Sequence, residues 1–244
     1  MERIETLGRR LFAVAAIASG LRQLFTGSFV RLVPVVPAWM SWPAPWRWMG
    51  SLVLVGAGLA ILSGYRVRTA ALAIATLLLF VLAAIQLPPA LGQPGTGYLW
   101  TNPCKVLAML GGVLAIAGAR GGTAWIFLAI FLVVCGAQHF AYAGFVDTLV
   151  PAWIPPSRRF WTIVAGVALV AGGLGLAVRS IARPVALLVA LMIFLWILLV
   201  HVPRAVSMRS ALELDGAFEA LALTGVALLV AGLCRADRAV VAPP

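Results

Sequence analysis

Of the 244 residues, 63% are hydrophobic and only 10% are charged, against about 25% charged in a soluble domain. A water-soluble globule is excluded. Acidic tails, coiled coils and disordered arms go with it, since each needs polar residues for which a mean hydropathy of +1.07 leaves no room. The net charge of +11, from 18 basic and 7 acidic residues, does not signal nucleic acid. The basic residues stand singly or in pairs at the edges of apolar runs, as the loop charges of a membrane protein do.

At about 20 residues per crossing, the chain reads as an all-α polytopic membrane protein. Its apolar runs predict eight transmembrane helices, over 10–27, 48–64, 69–88, 103–118, 123–143, 161–178, 184–203 and 217–234. The first run follows Arg9 and Arg10 and imitates a signal peptide, but its counterpart at 123–140 argues for a retained helix. Stretches 28–47 and 144–160 are too long for turns and rich in Pro and Trp. They predict amphipathic or re-entrant segments in the interface, where an indole keeps its N–H wet and its ring in lipid.

The two halves of the chain stay in step. Val36-Pro37-Ala38-Trp39 recurs as Val150-Pro151-Ala152-Trp153, and the register holds at an offset of 114 to 116. Gly20 matches Gly136, Trp46 matches Trp161, Gly58 matches Gly173, Arg68 matches Arg183, Pro88 matches Pro203 and Gly111 matches Gly225. Apolar runs align easily, so it is the matched Pro, Trp, Gly and Arg at element ends that carry the inference. The reading is a tandem duplication of a four-helix unit, with one repeat over 1–119 and the other over 120–244. An even number of helices per unit makes the repeats parallel.

Basic residues set the orientation. Arg3, Arg9, Arg10, Arg66, Arg68, Arg120, Arg179, Arg183, Arg235 and Arg238 fall on the side of the N-terminus, ten in all, against six on the other side (Arg31, Arg47, Arg158, Arg159, Arg204 and Arg209). That bias predicts both termini in the cytoplasm. Seven of the nine tryptophans lie on the face away from the N-terminus, which predicts a one-sided aromatic belt.

Polar residues at the rims of the spans gather on that same outer side. They are Arg22, Gln23, Gln86, Asn102, Lys105, Gln138, His139, His201, Glu213, Asp215 and Glu219. Several pair through the repeat: Gln23 with His139, Gln86 with His201, and Lys105 with Glu219. A charge at the hydrocarbon edge tends to face the bundle interior and find a partner. One reading is structural, with Lys105 pairing Glu219 across the pseudo-twofold and Arg22 reaching a lipid phosphate. The other is a small-molecule pocket in the outer leaflet, its rim including Gln138 and Trp153. A quinone would suit such a pocket, its tail against the apolar wall and its carbonyls on His139 and His201, with Glu219 relaying protons. A b-type haem held by the two imidazoles is a third use, set back by their position at helix ends.

The remaining features are quieter. Cys104 and Cys135 fall toward the outer side, where a thiol role needs their Cα atoms within about 7 Å; small buried hydrophobes are the commoner use. The three cysteines form no C-x-x-C, which argues against a zinc site. Glycines such as Gly56, Gly58, Gly111, Gly112 and Gly225 serve close helix packing in lipid, and no nucleotide-binding fingerprint is hidden among them. Few polar residues occupy the inner halves of the spans, which argues against an ion channel.

The second half resembles a known family. Gly136-Ala137-Gln138-His139-Phe140, Leu149-Val150-Pro151-Ala152-Trp153-Ile154-Pro155, Trp161, the 172–175 glycine run, Arg183, and Trp196 through His201-Val202-Pro203 are similar to the DoxX-like membrane proteins. These are four-helix bacterial inner-membrane proteins related to the DoxD subunit of thiosulfate:quinone oxidoreductase. The resemblance covers roughly 120–234 and extends more faintly over 10–118, so the chain looks like two fused DoxX-type units. It implies a bacterial inner-membrane protein, and the leading functional expectation is a membrane subunit of a quinone-linked oxidoreductase or redox-stress complex, partnered by a soluble subunit. The rival expectation is a non-catalytic module that binds or moves a lipid or small solute. The family motifs are not diagnostic of a reaction, and the first half lacks both histidines, which confines chemistry based on them to the second.

Overall fold

The computed structural model describes residues 2–34, 36–119 and 122–241. Arg120 and the side chains of Arg235 and Arg238, which enter the orientation count, lie outside the described residues. Eight long helices follow one another: α1 (Glu2–Thr26), α2 (Pro43–Ser63), α3 (Val67–Gly92), α4 (Gly97–Ile116), α5 (Thr123–Ala141), α6 (Arg158–Ala177), α7 (Ala182–Met208) and α8 (Ala211–Val241). A single turn over Ala143–Asp147 follows α5. The described residues are helical or irregular, with no strand among them.

Seven of these helices, α2 to α8, are long and apolar enough to cross a membrane. The first is the exception to the eight predicted spans. Arg10 and Arg22 bracket only 11 residues between them, short of the roughly 20 a crossing takes. Along α2, α5, α6 and α7 the lipid-side pattern is plain: Leu52, Leu59, Ile126, Val167, Leu174, Leu188 and Leu191 are exposed, as expected where the surrounding solvent is hydrocarbon rather than water.

Packing is by chain neighbours, closed by a central pair. Helices α1 to α4 contact one another in sequence, as do α5 to α8, and α4 also packs on α5. The last helix closes the arrangement by packing on both α1 and α4, so each half borrows a wall from the other. Accordingly α8 is the most enclosed of the crossing helices, with 72% of its apolar stretch buried.

Glycines set the close crossings. A Cβ on Gly20 would stand 2.9 Å from the Ser51 carbonyl oxygen, and one on Gly58 3.0 Å from that of Ala13, so α1 and α2 touch backbone to backbone. The α5/α6 crossing is built alike: Gly136 meets the Gly166 oxygen at 2.9 Å and Gly173 the Ala129 oxygen at 2.8 Å.

Two helices widen toward their C-terminal ends. Val81–Gln86 in α3 and Ile197–His201 in α7 form π turns, closed by Leu87 N–H donating to the Leu82 carbonyl and Val202 N–H to that of Ile197. Proline is the cause in each. Pro88 and Pro203 have no N–H for the carbonyls of Ala84 and Leu199, and a proline ring clashes with the carbonyl four residues back; an extra residue in the turn relieves both problems. As a result Gln86 and His201 each end a π turn, directly before the proline-bearing helix end.

Candidate functional site

The polar rim predicted from sequence is assembled at one end of the bundle, where α1, α3, α5 and α7 end and α2, α4, α6 and α8 begin. Arg22 lies inside it, 7% exposed, with Asp215 at 2%. Its Nε donates to Asp215 Oδ1 at 2.7 Å, while Nη2 pairs with Oδ2. Nη1 donates to the Ser28 hydroxyl at 2.8 Å and to the Ser28 and Phe29 carbonyls at 3.1 Å. Every edge of the guanidinium is therefore turned inward, not toward a lipid phosphate.

Two glutamines tie the first Pro-Trp segment into the bundle. Gln23, 3% exposed, donates to the Arg47 carbonyl and the Ser51 hydroxyl, both at 2.9 Å, and accepts from Val30 N–H at 2.9 Å. Gln86 donates to the Leu32 carbonyl, and Asp215 accepts from Arg31 N–H at 2.8 Å. An amide both donates and accepts, which lets one side chain satisfy two stretches of backbone at once. The segment is consequently folded inward rather than spread over the interface. Val33 and Met40 are buried, and Trp39 packs edge-on against both Trp46 and Phe80, which stack on each other at 5.5 Å.

The second Pro-Trp segment is held differently. Trp153 is 68% exposed, and the anchoring comes from Thr162, which donates to Asp147 at 2.7 Å, and from Arg204, which donates to the Thr148 carbonyl at 3.2 Å. His139, in the place of Gln23, donates from Nδ1 to the carbonyl of Cys135 at 2.8 Å and stacks on Trp196 with ring centroids 6.2 Å apart. In the neutral ring that bond leaves Nε2 as the acceptor. His201 lies against Gly216, where a Cβ would come within 2.8 Å of its Nδ1. Gln138 accepts from Thr101 and donates to the Gly97 carbonyl, both at 2.7 Å, joining α5 to the start of α4.

Between the halves, Lys105 Nζ donates to Glu219 Oε2 at 2.6 Å, with Asn102 accepting from the same ammonium at 3.4 Å. This is the α4–α8 pairing expected from sequence. The other carboxylate oxygen, Glu219 Oε1, is buried without a partner.

A cavity of about 110 Å³ lies below the first segment, enclosed by α1, α2, α3, one residue of α4, and α8. Phe12, Trp46 and Met109 contribute to its apolar wall, and Gln23, Asp215 and Glu219 are polar members of the lining. Of the residues singled out from sequence, Gln23, Asp215 and Glu219 line it. Arg22, Gln86, Asn102, Lys105, Gln138, His139, Trp153 and His201 do not. The cavity thus lies mainly against the half without histidines, with α8 of the other half completing its wall. Sequence reasoning passed over Ser51, fully buried opposite Gln23, although a serine inside an apolar run was the available signal. Among the described residues Cys104, Cys135 and Cys234 form no disulfide, and no cluster of three or more metal-ligating side chains occurs.

A family model described as a domain of unknown function (DUF8561) matches residues 128–234, the stretch from α5 to α8. It takes in His139, His201 and Glu219, but not the three helices that form most of the cavity wall. No curated protein and no solved structure matches the chain.

Proposed function

We propose that this chain is a multi-pass bacterial inner-membrane protein of two parallel DoxX-type four-helix units, one of which binds a small, largely apolar molecule in its outer leaflet. The observation that carries the reading is the cavity under the first Pro-Trp segment, whose side-chain lining is apolar except for Ser19, Gln23, Asp215 and Glu219. A concave apolar site with a few convergent polar groups is the usual form of a small-molecule site. Its volume of about 110 Å³ is on the scale of the engineered cavity of about 150 Å³ that takes up benzene.

The duplication is supported by three features at matched positions: the glycine crossings of α1/α2 and α5/α6, the π turns that end at Gln86 and His201, and the meeting of Lys105 with Glu219. In this reading α1 is the eighth crossing, since its Arg22 is neutralised by Asp215 and a paired charge tolerates the membrane edge. Both termini are cytoplasmic, following the ten-to-six basic bias. A binding role is favoured over quinone chemistry on His139 and His201 because neither histidine reaches the cavity.

Toluene binding to the full chain in lipid nanodiscs tests the reading. Saturable binding is expected in the native protein, and its loss when Ala16→Phe or Ala222→Phe fills the cavity. Native protein without a saturable component, or variants that bind unchanged, would overturn it.

A further inference from the structure

Resting on that binding site, a second property follows from hydrogen-bond bookkeeping at its polar end. Both N–H groups of Gln23 are used, on the Arg47 carbonyl and the Ser51 hydroxyl. Asp215 is taken up by Arg22 and by the backbone N–H of Arg31. Glu219 is different. It is 8% exposed, Lys105 occupies Oε2, and Oε1 has no partner. Among the described residues Arg9 Nε is also buried without a hydrogen bond, but Arg9 does not line the cavity, and Arg22 Nη2 is ion-paired with Asp215. Ser19 also lines the cavity, but its hydroxyl can both donate and accept, so the buried lining oxygen whose demand is for a donor is Glu219 Oε1.

We infer that the molecule this cavity takes is a ring-sized apolar compound bearing a hydroxyl, of the phenol class, which donates to Glu219 Oε1. Leaving a buried carboxylate oxygen unsatisfied is costly, and hydrogen bonds to charged groups are the stronger kind. A hydroxyl ligand removes that deficit, whereas an acceptor-only ring such as benzoquinone, or a plain hydrocarbon, leaves it in place. Lys105 holds the other oxygen, Oε2, so the carboxylate is fixed before the ligand arrives and little ordering is needed on binding.

The test compares 4-methylphenol with toluene on the full chain in nanodiscs. Native protein is expected to prefer 4-methylphenol at least tenfold in the saturable component. Replacing both partners of the ion pair (Lys105→Met with Glu219→Met) avoids stranding one charge and is expected to bring the two ligands within a factor of about three of each other, as expected from loss of the hydrogen bond. Infrared difference spectra of native protein supply a second readout that needs no variant: a carboxylate band shifts with 4-methylphenol and not with toluene. Equal affinities in native protein, a preference that survives the double substitution, or an unmoved carboxylate band each overturns the donor assignment while leaving the cavity reading standing. Failure of toluene itself to bind overturns the cavity reading instead.

Discussion

Arg22 and Asp215, 193 positions apart in sequence, are joined by a hydrogen bond of 2.7 Å from Nε to Oδ1 inside the bundle. The pair fastens the end of the first helix to the start of the last. Because both side chains are almost wholly enclosed, at 5% and 2% exposure, neither charge has water to fall back on.

Removing one partner is therefore the severe change. Asp215→Asn or Arg22→Met is expected to destabilise the fold by about 3–5 kcal/mol, the usual cost of leaving one member of a buried ion pair uncompensated. The double variant is expected to cost less than the two single losses summed. Unfolding midpoints of the purified protein in detergent check this, and simple additivity would show that the two charges are not coupled.

Gln23 predicts a local effect. Gln23→Leu strands Val30 N–H and the Ser51 hydroxyl, and takes from the helical Arg47 carbonyl its second partner. A loss of about 1–3 kcal/mol is expected for each polar group left buried and unpaired. Deuterium exchange of amides 28–33 should quicken while that of α6 and α7 stays unchanged. Unaltered exchange in that segment would mean that apolar contacts alone hold it down.

The glycine crossings make a matched pair of tests. Gly58→Ile and Gly173→Ile both place side chains within about 3 Å of a facing backbone oxygen, and each is expected to destabilise by about 1–3 kcal/mol through forced separation of helices. Gly56→Ala serves as the control, since a Cβ there meets nothing within 4 Å; exchanging a helix-interior glycine for alanine is expected to gain up to about 1 kcal/mol. Thermal stability series on the three variants decide it. A Gly56→Ala loss as large as the others would remove close packing as the explanation.

Topology offers the clearest test of the first helix. With the native cysteines replaced by alanine, single cysteines at positions 3 and 28 are expected to react with a membrane-impermeant reagent from opposite sides, position 3 from the cytoplasm. Labelling of both from one side would leave α1 uncrossed and the bundle with seven spans.

Much of the framework was legible in the order of residues. Helix positions followed from apolar run length, because a backbone in lipid must satisfy its own hydrogen bonds and does so as a helix. The pairing of Lys105 with Glu219 was legible as one reading, since opposite charges at the rims of two spans tend to find each other. The first helix was read less well. Its apolar run is visible, but whether Arg22 tolerates burial depends on Asp215, which only folding brings near.

Composition and spacing by themselves determined that the chain is helical and built for a membrane, because these follow from local hydropathy. Where the polar residues point was decided by the tertiary structure. Gln23 and His139 occupy matched positions, yet one amide reaches across to backbone of α2 and the Pro-Trp segment while the imidazole turns back on its own helix and stacks on Trp196. The cavity falls beside the glutamine for the same reason that no single repeat encloses it. Its wall includes Asp215, Phe218, Glu219 and Ala222 of α8, a helix from the far end of the chain, and sequence distance carries no record of which helix closes a bundle.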